Sequence, residues 1–398
     1  VPETTTPVEP DATMRRARWA VTAYFVVSGF ALASWTARIP TIKRDLGLDD
    51  AGVTLALFAV AAGSVLAMQV CGHLTDRFGS ARVMPPAGIL VALSGVTPGL
   101  AGSLPTLVAG LMVFGAAHGT IDVAMNSHAV RVEQRYRRPI MSTFHATFSL
   151  GGLLGAGSGA LAAQLGLSPA AHFALTGAGL VALSLVARPA LLPPEPTPPA
   201  ESGARARGIP MAIVFLGVLG FFCSVGEGSM ADWSSVYLHD ELGSSLAFAA
   251  LGYAVFSATM GLFRFLGDGL VRRFGPVLLV RCCGVIAGTG LGVALLLHHP
   301  VAALAGFALF GVGLSCIVPQ IFSAAGHRDP ARSGRDLAQV STLSYGGLLA
   351  GPVFIGLLAQ GFGLSVGLAV PAALALLVAV AANAVRPRPA AESASGRA

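Results

Sequence analysis

The sequence predicts an all-α membrane protein with twelve transmembrane helices in two pseudo-symmetric six-helix bundles. Three observations predict it. Only 11% of the 398 residues are charged and 54% are hydrophobic, with a mean hydropathy of +0.73. A soluble domain carries about 25% charge. Twelve apolar runs, in two sets of six, are long enough to cross a hydrocarbon core of about 30 Å. Short motifs then recur between the two sets.

The chain opens on a polar, Pro/Thr-rich segment that turns basic at Arg15, Arg16 and Arg18. Residues 1–18 are expected to be a disordered tail. The apolar run after them is too long for the core of a cleavable signal peptide. Six runs lie at 19–38, 51–71, 82–101, 105–128, 140–163 and 169–187 and form the N-terminal bundle, 19–187. A Pro-rich segment, 188–208, reads as a linker. Six more runs, at 209–238, 246–268, 276–297, 300–324, 339–360 and 363–385, form the C-terminal bundle, 209–385, before a short tail, 386–398.

The basic residues orient these runs. With the N-terminus inside, 21 arginines fall in inner segments and three basic residues, Arg38, Lys43 and Arg44, in outer ones; Arg264 lies within a span. That asymmetry predicts both termini in the cytoplasm. The net charge of +6 therefore signals membrane orientation, and no nucleic-acid partner is expected. Twenty-four arginines against one lysine, with abundant Ala and Gly, suit a GC-rich bacterial genome, hence a bacterial cytoplasmic (inner) membrane. The five cysteines sit in or beside apolar runs without paired spacing, so they read as buried, inert thiols.

Three internal matches share nearly one offset. Gly72–Gly79 (GHLTDRFG) recurs as Asp268–Gly275 (DGLVRRFG), Ser149–Leu154 (SLGGLL) as Ser344–Leu349 (SYGGLL), and Gln164 as Gln360. They indicate a duplicated six-helix unit in parallel orientation, the layout of transporters that rock about a midplane site.

The chemistry concentrates in Ala117–Ala129, AHGTIDVAMNSHA, at the end of a long apolar run. His118, Asp122 and Asn126 recur every four residues and so share one helical face. An ionisable group in such a run is costly and by default marks a substrate or ion path.

The segment Gly72–Arg82, GHLTDRFGSAR, resembles the loop signature of the major facilitator superfamily, with Gly72, Asp76, Arg77, Gly79 and Arg82 in the expected places. Asp268–Gly275 resembles its weaker second copy. Within that superfamily, DVAMN (Asp122–Asn126) resembles the fucose-permease-like proton symporters. FHATFSLGG (Phe144–Gly152) and EGSMADW (Glu227–Trp233) resemble an uncharacterised bacterial branch near them. The fourth run lacks the arginine, and the fifth the Gly-Pro, that drug antiporters usually carry; Gly351-Pro352 stands in the eleventh instead.

The resemblance implies a central cavity walled by spans 1, 4, 7 and 10. Asp122, Glu227 and His145 are then the candidate proton-coupling residues, with His145 as the partner of Asp122. Asn126, His118, Trp35, Trp233, Gln320 and Tyr345 are candidate substrate-binding residues. The tryptophans would offer a stacking platform, or else an interfacial belt. Gly72, Asp76, Arg77, Gly79, Arg82, Arg264, Asp268 and Arg272 form the candidate gating cluster, with Arg264 and Asp268 pairing with each other or with the loop cluster. Arg38 and Asp232 are expected to pair at the outer rim. Gly226 and Gly228 flank Glu227 and would weaken the helix there.

The sequence contains no HExxH, GxSxG or phosphate-binding loop, so neither an enzyme nor an ATP-driven pump is expected. The expectation is a monomeric secondary transporter in the lipid bilayer with one small-molecule substrate, no metal, and no cofactor beyond protons as coupling ion. Symport of a sugar-like or other small polar solute leads. The alternatives are proton-driven export of a metabolite or drug and, more remotely, a non-transporting sensor or scaffold.

Overall fold

The computed structural model describes residues 11–194 and 208–387 and is helical throughout, with no strand among them. The first six spans are Ala12–Asp45, Asp50–Phe78, Ser80–Ser94 with a 3-10 turn at Thr97–Leu100, Leu104–Tyr136, Met141–Gln164 and Pro169–Ala187. The seventh is Met211–Val236, followed by a π-helical turn, Tyr237–Glu241. The eighth and ninth are the two arms of Leu251–Leu297. The tenth is Pro300–Leu314 plus Ile317–Gly326, the eleventh Ser333–Phe362 and the twelfth Leu364–Val380.

Eleven helical runs have membrane-spanning length and hydropathy, because Leu246–Leu297 counts as one. It is two crossings: at Gly275 the backbone leaves the helix, with φ 74° and ψ 161°. At the matching place in the first half, Gly79 has φ 83° and ψ 142°. A side chain is strained at such φ values, so glycine is required at both turns. Twelve crossings result.

Within the first half, span 1 packs on span 5, and span 4 on spans 2 and 3; in the second half, span 7 packs on span 11 and span 9 on span 12. Glycines allow the closest approaches. A Cβ at Gly115 would lie 2.0 Å from the Val60 carbonyl oxygen, and one at Gly119 2.4 Å from that of Ser64. The halves meet chiefly along two seams, span 2 against span 11 and span 5 against span 8. We call the end of the bundle that carries Arg77, Arg138, Arg272 and Arg335 the basic end.

Several expectations are corrected. The segment read as a disordered tail is helical from Ala12, because the Asp11 carboxylate caps it by accepting from the Met14 amide at 2.7 Å. Hydropathy saw only the apolar part of that helix. The fourth span likewise runs past residue 128 to Tyr136. Span 10 is broken at Ser315–Cys316, where Pro319 removes an amide donor and its ring blocks the Ser315 carbonyl. Span 7 is not unwound at Gly226 and Gly228. A Cβ at Gly226 would meet Phe310 at 2.8 Å, and one at Gly228 the Leu348 carbonyl at 3.0 Å, so these glycines serve close packing. Cys282 is exposed on span 9, while the other four cysteines are buried. Of the 188–208 linker, Arg188–Ala190 forms a 3-10 turn. Residues 195–207, and the tails at 1–10 and 388–398, lie outside the described residues.

Candidate functional site

The stripe on span 4 faces span 11 of the opposite half. Helical spacing puts His118, Asp122 and Asn126 on one face, and each finds a polar partner there. Ser341 Oγ donates to Asp122 Oδ2 at 2.9 Å. Asn126 Nδ2 donates to the Asp122 carbonyl at 2.9 Å and lies 3.4 Å from its Oδ1. His118 bridges the halves, with Nε2 3.2 Å from Ser28 Oγ on span 1 and Nδ1 3.1 Å from Tyr345 Oη on span 11. Among the described residues no cation pairs with Asp122. Asn126 is fully buried, and its Oδ1 has no protein partner. Asp122 thus sits in the seam itself.

The same seam continues toward the basic end as a polar ladder. Gln69 of span 2 accepts from Gln339 Nε2 at 2.6 Å and donates to Thr342 Oγ1 at 2.7 Å. Next, Asp76 receives the Gly334 amide at 2.7 Å and Arg335 Nε at 2.7 Å. Span 11 begins at Ser333 with no capping side chain of its own, so Asp76 caps it from the other half. Contact there is tight: a Cβ at Gly72 would lie 2.9 Å from Ala338 Cβ, and one at Gly334 2.7 Å from Asp76 Oδ1.

The second seam repeats the device. Span 5 also starts without a capping side chain. Its first amides are taken by two acids: Ile140 and Met141 donate to Glu133 Oε1 at 3.0 and 3.1 Å, and Ser142 and Thr143 to Asp268 at 2.9 and 3.1 Å. The Thr143 hydroxyl donates to Asp268 as well. Glu133 is itself tied to span 10, accepting from Ser323 Oγ at 2.6 Å. Deeper in, Arg264 Nη1 donates to Ser149 Oγ at 2.8 Å across the seam, while its Nη2 lies 3.8 Å from Glu227 Oε2. The Glu227 side chain is 37% exposed. Since its partner Arg264 reaches the opposite half, Glu227 faces the space between the halves rather than lipid.

The remaining sequence candidates fall as follows. His145 does not bond Asp122; its ring lies between Phe25 and Phe322, with centroids 5.5 Å from each, and Nε2 has no protein partner. Arg264 and Asp268 do not pair with each other, because each is committed to span 5. Arg38 does not pair with Asp232. It is buried and donates to the carbonyls of Gly159 at 3.4 Å and Leu167 at 2.6 Å, at the end of span 5, while Asp232 is exposed. Trp35 is buried in the core, and Trp233 is half-buried and donates to the Pro352 carbonyl at 3.1 Å, which anchors its indole to span 11. Gln320 reaches Ser142 Oγ at 3.5 Å, in the second seam. Arg77 lies over the Phe78 ring, and Arg82 and Arg272 are exposed, so the latches use Arg335 instead.

Sequence reasoning missed Gln69, Glu133, Ser149, Gln339, Ser341 and Thr342. A signal existed for two of them. Gln69 is a polar residue inside an apolar run, and an acid was owed to span 5, whose start, Arg-Arg-Pro-Ile, offers no cap.

The chain matches the Major Facilitator Superfamily over residues 20–348. It is 38% identical over 361 residues to an uncharacterised MFS-type transporter of Yersinia pestis, covering 91% of this chain and 94% of that one. Its fold is similar to that of the proton:xylose symporter XylE, with TM-score 0.76 and 14% identity over 93% of this chain and 95% of the other. It is also similar to FucP in the outward conformation, with TM-score 0.72 and 17% identity over 93% and 98%.

Proposed function

The chain belongs to the Major Facilitator Superfamily and is a multi-pass membrane transporter, and from that premise we propose that it carries out proton-coupled symport of a small, uncharged polar solute. One observation carries the reading. Asp122 lies mid-span, hydrogen-bonded to Ser341 of the other half, and among the described residues no cation pairs with it. The excess of arginine supports a cytoplasmic basic end; on that orientation this conformation is closed on the inside, and solute enters from the opposite face.

Protonation acts through the Ser341 contact. A hydrogen bond to a charged carboxylate is worth roughly 1.5–3 kcal/mol, and one between neutral partners roughly 0.5–1.5. Adding a proton to Asp122 therefore weakens the tie between spans 4 and 11 by about 1 kcal/mol. That shifts the balance between closed and open states only about fivefold. Bound solute must supply the rest, which is the condition for coupling. Polar atoms between the halves suit a solute rich in hydroxyls. Among the described residues, Asn126 Oδ1 and His145 Nε2 have no hydrogen-bond partner, and Glu227 is partly exposed. The structural relative named a proton:xylose symporter supports the same class.

The test is flux in proteoliposomes. A thermal-shift screen of sugars and polyols first selects solutes that bind. An inward proton gradient should then drive accumulation of at least one of them. Accumulation that ignores the gradient, or efflux driven by it, overturns the reading, the latter in favour of export.

A further inference from the structure

Beside the second seam, at the basic end, lies a cavity of about 350 Å³. Three places in the chain build it. The first span contributes Arg18, the corner between spans 4 and 5 contributes Arg138, and span 8 contributes Phe265, Leu266, Asp268 and Arg272.

Its charge is unbalanced. Among the described residues none of the three arginines forms an ion pair, and Arg18 stacks over the Tyr136 ring at 5.7 Å. The one acid on the wall, Asp268, already accepts the Ser142 and Thr143 amides and the Thr143 hydroxyl. Guanidinium groups gathered this way fit a phosphate, which they can grip bidentately. The wall is also two-sided. Phe265 and Leu266, side by side on the same span, are 48% and 50% exposed. In a membrane such surface faces acyl chains. A free phosphate would use the arginines and leave the apolar wall empty; a phospholipid uses both. Basic pockets between transmembrane helices recur as binding sites for anionic head groups.

We propose that this cavity binds the phosphate of an anionic phospholipid and that the bound lipid holds the two halves together at the basic end. Arg18 and Arg138 belong to the first half and Arg272 to the second, so one head group touches both. Its wall includes the Asp268–Thr143 contact, which exists only while the seam is closed. A ligand that binds one state shifts the equilibrium toward it. The inference needs only the membrane placement of the chain and is independent of the solute or coupling ion.

The test titrates purified protein in mild detergent with phosphatidylglycerol, with phosphatidylcholine, and with inorganic phosphate, following Tm. Phosphatidylglycerol should stabilise at concentrations at least about tenfold lower than phosphatidylcholine, and R138Q/R272Q should lose that preference while keeping its response to phosphatidylcholine. Native mass spectrometry of the unaltered protein, which requires no variant to fold, should show an anionic phospholipid retained in preference to a zwitterionic one. Equal responses to the two lipids, equal retention, or an undiminished preference in the variant overturns the proposal. Stabilisation by inorganic phosphate equal to that by phosphatidylglycerol assigns the pocket to a free anion and overturns the lipid.

Discussion

The two seams are built to one plan and differ in what fills them. In each, a helix that starts without its own cap borrows an aspartate from the opposite half, Asp76 for span 11 and Asp268 for span 5. The seam of spans 2 and 4 against span 11 is then polar to mid-depth, through Gln69, Asp122 and His118. The seam of span 5 mixes aromatic and polar contact at that depth, with His145 between two phenylalanines and Arg264 donating to Ser149. Where Asp122 stands in the first repeat, the second has Val318. Among the described residues, a mid-depth carboxylate bonds directly across the first seam, whereas in the second Glu227 reaches the opposite half through Arg264.

The largest expected effect falls on Asp122. Asp122→Asn should reduce gradient-driven uptake to background while solute binding, read by thermal shift, persists. Unchanged uptake would place the titratable tie elsewhere, with Glu227 the next to test. Ser341→Ala should be milder, shifting the protein toward opening at the basic end. The matching change in the other seam, Ser149→Ala, should leave proton dependence intact, so equal loss of proton dependence in both variants would erase the asymmetry. Next come the caps. Asp76→Asn and Asp268→Asn each leave buried amides short of an acceptor, at about 1–3 kcal/mol, and each should lower Tm. The smallest effect separates those two caps. Arg335 is 39% exposed, so its pair with Asp76 is screened by salt and contributes less than about 1 kcal/mol. High ionic strength should increase labelling of cysteines placed along span 11 at the basic end, and leave cysteines beside Asp268 and Thr143 unaffected.

The fold was legible because its causes are local. Length and hydropathy mark spans, and arginine placement marks their alternation. The repeat motifs also located the paired glycine turns at Gly79 and Gly275, 196 residues apart. They misplaced the cap: that offset sets Gly72 beside Asp268, yet Asp268 does the work of Asp76, 192 residues earlier. Span 5 begins one turn later than span 11 in the repeat, and its aspartate sits one turn deeper to match. Within the site, the stripe of His118, Asp122 and Asn126 could be read because residues four apart share a helical face. Its partners could not, since Ser341 and Tyr345 lie 219 and 227 residues away. Arg38 misled for a similar reason. An arginine at an outer rim suggests an acid, whereas two backbone carbonyls at the end of span 5 satisfy it.

The start of span 5 is shared between an acid of its own half, Glu133, and an acid of the other, Asp268. When the halves part, Glu133 stays and Asp268 leaves, and two amides and a hydroxyl must be hydrated at once. Opening is therefore also a wetting event. Sucrose and other solutes excluded from protein surfaces should slow turnover by holding that first turn dry, whatever cargo the chain carries.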